Sequence, residues 1–65
     1  MLRNKLRDIR MNEFCDNAIN IANYLEISLK TYYKYERGDV KPKLDKAIEI
    51  ANKLNRDVLD IWYLD

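Results

Sequence analysis

Glycine and proline occur once each in this chain, at Gly38 and Pro42, and they bracket one loop, "GDVKP". Glycine takes the left-handed conformation beyond a helix without a Cβ penalty, so Gly38 marks a helix end. After the loop, Leu44, Ala47, Ile48, Ala51 and Leu54 recur at helical steps with Asp45, Lys46, Glu49 and Lys53 outside. That spacing predicts a helix over about 43–54. Before the loop, Ala18, Ile21, Ala22 and Leu25 share one face of "AINIANYL", with Asn20, Asn23 and Tyr24 outside. Ser28 then offers a hydroxyl to the free amides of a following turn, which starts a helix that runs to Gly38.

Two weaker elements flank these three. Leu2, Leu6 and Ile9 step by four and three with Arg3, Lys5, Arg7 and Asp8 on the other faces, a first helix. Asp57 can cap a last helix over about 57–63 that buries Val58, Leu59 and Trp62. No strand-like alternation competes, and no internal repeat or linker divides the chain. The expectation is an all-α fold: one compact five-helix domain over residues 1–65, its two central helices and their turn at 18–37.

A chain of 65 residues buries only about 60% of the surface its unfolded form exposes. Cys15 is the only cysteine and histidine is absent, so an intramolecular disulfide is impossible and a zinc site is not expected. A lone thiol fits a reducing compartment. The basic start "MLRNKLRDIR" has no apolar run behind it, and no stretch approaches membrane length. A cytoplasmic protein with no membrane partner and no cofactor is expected.

Net charge is only +1, yet its distribution is uneven. Residues 1–10 carry four bases against one acid, and 30–46 carry six bases (Lys30, Lys34, Arg37, Lys41, Lys43, Lys46) against three acids. Residues 11–29 carry only acids, and the tail from 47 is net acidic. Without histidine, a glycine-rich phosphate loop or a nucleophile with its base, catalysis is not expected.

The third helix decides what partner fits. Tyr32, Tyr35 and Glu36 continue the side of Ile27 and should pack inward with the tyrosine hydroxyls at the rim. Lys30, Tyr33, Lys34 and Arg37 lie at i, i+3, i+4 and i+7, an outward stripe with Leu29 beside its start. On composition alone a solvated lysine face is the simpler account. A short helix, a tight turn, a capped helix and a basic loop in that order instead describe how a second helix is offered to the DNA major groove.

These residues also carry a likeness. "FCDNAINIANYLEISLKTYYKYERGDVKPKLDKAIEIANKL" resembles the phage Cro and lambda-repressor type helix-turn-helix family, often called XRE-like. The matching features are Ala22, then Leu25, Ile27 and Ser28 at the turn, Thr31, and "YERG" followed by a basic loop with Pro42. "LDKAIEIANKLN" and "RDVLDIW" look like that family's fourth and fifth helices. The resemblance implies a domain that binds a double-stranded DNA operator, usually as a homodimer on an inverted repeat. Carried over by position, Leu29, Lys30, Thr31, Tyr33 and Lys34 face base edges, and Asn17, Arg37, Lys41 and Lys43 meet phosphates. Three features depart from the pattern. Ala18 stands where a glutamine is frequent, Glu26 where glycine is common, and the connection between the first two helices is slightly long, which argues against an ion pair of Arg10 with Glu36.

Tyr24 and Tyr63 read as amphipathic surface aromatics. In "DIWYLD", Ile61, Trp62, Tyr63 and Leu64 form either a frayed apolar tail or a dimer edge. The residues therefore point to a transcription regulator, most simply a homodimeric repressor. An antitoxin-like regulator holding a protein partner on its C-terminal apolar edge, or a module for protein interaction alone, stays open beside it.

Overall fold

A computed structural model describes all 65 residues. Strand β1 (Leu2–Asn4) leads into α1 (Leu6–Glu13), followed by α2 (Ala18–Tyr24), α3 (Leu29–Arg37), α4 (Leu44–Lys53), α5 (Val58–Ile61) and strand β2 (Trp62–Leu64). No helix is long and apolar enough to cross a membrane.

The two-stranded sheet corrects the all-α expectation. β1 and β2 pair antiparallel with Leu2 opposite Leu64, Arg3 opposite Tyr63 and Asn4 opposite Trp62. Leu2 is thus a strand residue, although its four-residue step to Leu6 suits a helix equally well. Its partner lies at the other end of the chain, where local periodicity carries no information. The last helix likewise stops at Ile61, because Trp62 turns to extended backbone (φ −105°, ψ 132°) and enters the core from the strand.

The core joins Leu6 and Ile9 of α1, the apolar face of α2 with Leu25, Tyr32 of α3, one face of α4, and Ile61 with Trp62. On α4 that face is Ala47, Ile50, Ala51 and Leu54, rotated from the expected stripe so that Leu44 and Ile48 stand outside. Both stripes share Ala47, Ala51 and Leu54. Packing selects Ile50 as the large member, and Leu44 is released to the rim.

The connection from α1 to α2 absorbs its extra length in two successive left-handed residues, Cys15 (φ 54°) and Asp16 (φ 56°). This conformation folds the chain back so that the Asp16 amide donates to the Arg10 carbonyl at 3.0 Å and the Asn17 amide to that of Phe14 at 2.9 Å. Arg10 therefore stays in reach of α3, contrary to expectation. Its Nε donates to Glu36 Oε1 at 2.9 Å, and its other nitrogens reach Asp16 and Glu36 Oε2.

Candidate nucleic-acid interface

The turn before α3 is a helix C-terminal motif built around Glu26. The Ile27 amide donates to the Ala22 carbonyl at 3.0 Å and the Glu26 amide to that of Asn23 at 3.1 Å, with Glu26 left-handed at φ 58°. Glycine is the residue that takes this conformation freely, so Glu26 holds it at some backbone cost. Its carboxylate does not face the reading side: it pairs with Lys53 Nζ of α4 at 2.6 Å, and that bond holds it below the usual carboxylate range. The acid at the turn is thus turned aside and neutralised.

Ser28 caps α3 as its sequence position predicts, its Oγ accepting from the Thr31 amide at 3.1 Å. The same Oγ donates to Thr31 Oγ1 at 2.9 Å, which leaves the Thr31 proton for an external acceptor. At the other end Gly38 is left-handed (φ 80°), and the amides of Asp39 and Val40 return to the Lys34 carbonyl. Two capped ends make α3 a rigid unit.

Leu29, Lys30 and Lys34 are exposed along α3, Thr31 is half-buried at its start, and Lys41 and Lys43 are exposed on the loop. Tyr33 departs from the outward stripe. Its ring packs partly on the core beside Tyr32, at a centroid distance of 5.9 Å, and the Arg37 guanidinium stacks 5.6 Å from its centroid. Tyr33 is half-buried as a result. Asn17 spends its Oδ1 on the Ile19 and Asn20 amides of α2, which leaves its Nδ2 for a phosphate.

Ion pairing divides the twelve bases of the chain. Arg3, Arg10, Lys46, Lys53 and Arg56 all have carboxylate partners, and Arg37 has a loose, exposed one in Asp39 at 3.9 Å. Six have none within ion-pairing distance: Lys5 and Arg7 near the start of the chain, and Lys30, Lys34, Lys41 and Lys43, which gather on α3 and the loop after it. A nearly neutral chain thereby presents an uncompensated cationic face, as a phosphate backbone requires.

Over residues 16–61 the chain matches the family model for helix-turn-helix proteins. It belongs to the Cro and lambda-repressor type, XRE-like helix-turn-helix family. No curated protein and no solved structure is significantly similar to it. Membership makes the chain a DNA-binding transcription regulator.

What holds this helix-turn-helix in place is a polar cluster behind α3. The Tyr32 hydroxyl is buried, not at the rim: it donates to Glu36 Oε1 at 2.7 Å and lies 3.3 Å from the Leu6 carbonyl. Burial first, then the Glu36 carboxylate, pushes the phenol well above its ordinary range. The hydrogen bond to Glu36 likewise raises the Arg10 guanidinium against the cost of desolvation.

The tail residues divide. Ile61 and Trp62 belong to the core, whereas Tyr63 turns to the other side of the strand, its ring 5.6 Å from Lys5 Nζ. Only Leu64, 80% exposed, remains a free apolar residue of the four. The apolar face that is open lies next to them: a groove walled by Leu2, Pro42, Leu44, Val58 and Leu59 with Trp62 within. Leu44 and Leu59 project there, 71% and 83% exposed, and neither position was legible from helical spacing.

Proposed function

We propose that this protein is a repressor that reads an inverted-repeat operator as a homodimer, with α3 of each copy in the major groove. The observation that carries the reading is the set of four unpaired lysines on and after a helix capped at both ends. Lys30 and Lys34 stand where they can donate to guanine O6 and N7, and Leu29 and the free edge of Tyr33 can meet a thymine methyl. Lys41, Lys43 and Arg37 meet phosphates, which set register and not sequence preference. Repression is the activity that occupancy of an operator delivers unaided.

The partner in this reading is a second copy seated on the Leu44 and Leu59 groove. The groove lining is uncharged, and the concave wall and the projecting leucines lie on the same face, as an isologous contact requires. Pro42 belongs both to the groove and to the basic loop, so a second copy there brings two sets of loop lysines side by side. The two α3 helices then enter successive major grooves about 34 Å apart.

Selection of duplexes from a random pool at near-physiological salt tests the reading. It requires enrichment of an inverted repeat with half-sites one helical turn apart. Enrichment of single half-sites would refute the dimer, and no enrichment would refute operator recognition in favour of a protein-interaction module. Sedimentation of Leu59→Asp, a change at an exposed position, should give a folded monomer where the parent is dimeric.

A further inference from the structure

The C-terminal end of α3 is held by a residue far from it in sequence. Asn4 Nδ2 donates to the carbonyl of Tyr35 at 3.0 Å and to that of Glu36 at 3.2 Å. Its Oδ1 accepts from the Leu6 amide at 3.1 Å, the first amide of α1. A single carboxamide thus caps the start of one helix and the end of another. Lys5, the residue before α1, makes no side-chain cap of its own.

Two of these bonds fill positions that nothing else fills, at the Leu6 amide and the Glu36 carbonyl, while the Tyr35 carbonyl also accepts from the Gly38 amide at 3.1 Å. The amides beyond α3 go to Lys34 and Tyr35, so the Glu36 carbonyl takes its donor from Asn4 alone. The Asn4 backbone is fixed as well, since it lies in β1 opposite the core residue Trp62. The tie therefore runs from a sheet anchored in the core to the last turn of the reading helix.

We infer that Asn4 is a positioning residue for DNA recognition: it sets the angle at which α3 is presented. The inference rests on the operator-reading role proposed above. The nine residues of α3 span about 13 Å. Pivoting such a helix by about 10° at its C-terminal end moves Leu29 and Lys30 by roughly 2 Å, whereas a working constellation tolerates about 0.5 Å. Phosphate contacts from the flexible Lys41 and Lys43 tolerate the same pivot. Loss of the tie should therefore erode sequence preference while leaving general DNA affinity.

Asn4→Ser and Asn4→Asp test this, because each keeps an acceptor for the Leu6 amide; the aspartate carboxylate has no donor, and the serine hydroxyl ends one bond short of the Nδ2 that reaches α3. The readout is the ratio of affinities for the selected operator and a scrambled duplex, measured where circular dichroism shows the variants folded. A drop of about tenfold in that ratio, the weight of one good base contact, with scrambled-duplex affinity within about twofold, is expected. An unchanged ratio in folded Asn4→Ser overturns the inference while leaving operator reading intact. If both variants fail to fold, Asn4 is a determinant of the whole fold and the positioning role is likewise overturned. Should the parent protein itself show no preference, operator reading fails first, and the tie is judged by amide exchange: faster exchange at Asp39 and Val40 in DNA-free Asn4→Ser supports it, and unchanged exchange refutes it.

Discussion

The two ends of α3 are built on opposite terms. Its N-terminal end is open, with Leu29 and Lys30 exposed and no carboxylate near the lysine. Its C-terminal half is fastened by Asn4 and by the Arg10–Glu36 pair, whose side chains are only 14% and 11% exposed. The contrast teaches how a domain this small can present unpaired cations: specificity needs free donors at one end, and a free end reads only if the other is immobile.

The largest effect should come from the fastened end. Glu36→Ala leaves Arg10 partly buried without its main partner and Tyr32 with only the longer bond to the Leu6 carbonyl, a loss of about 3 kcal/mol in denaturant unfolding. A loss below about 1 kcal/mol would mean that the cluster behaves as a surface pair and the contrast is false. At the open end Lys30→Ala should leave stability unchanged and remove about 1 to 3 kcal/mol of discrimination at one base position, read by competition binding. A general loss across all duplexes would instead place Lys30 on the backbone.

Lys43→Ala sharpens the comparison from the loop. It should weaken every duplex alike and reduce the slope of log affinity against log salt by about 0.9, with the preferred site unaltered. The smallest effect belongs to the turn. Glu26→Gly should melt above Glu26→Ala, because glycine accepts the left-handed backbone and both variants lose the Lys53 bond equally. Since Lys53 lowers the Glu26 carboxylate, its contribution is present above the ordinary glutamate range and fades as pH falls through the lowered value. Stability profiles of the parent and Glu26→Gln should accordingly converge in acid.

Much of the candidate interface is legible in the sequence because its signals are local. Ser28 as cap, Gly38 as terminator and the lysine spacing between them lie within eleven consecutive residues, 28–38, and each acts on its own turn of helix. Asn4 was not legible, since nothing in "MLRNKL" indicates that a carboxamide will meet carbonyls more than thirty residues away. The Arg10–Glu36 pair was misjudged for a related reason. Loop length argued against it, and only the paired left-handed turns at Cys15 and Asp16 restore the distance.

By itself the sequence determined the helices whose start, face and end are written in neighbouring residues, and with them the exposed lysine face of a helix-turn-helix. Tertiary structure alone decided the sheet that joins the termini, the rotation that expels Leu44 and Ile48 from the core, and the fastening of α3. Those outcomes depend on which distant surfaces meet. Helical periodicity fixes the directions in which side chains point along one element, but the choice between overlapping apolar stripes, or between helix and strand for Leu2, is made by the burial that partners from elsewhere in the chain supply.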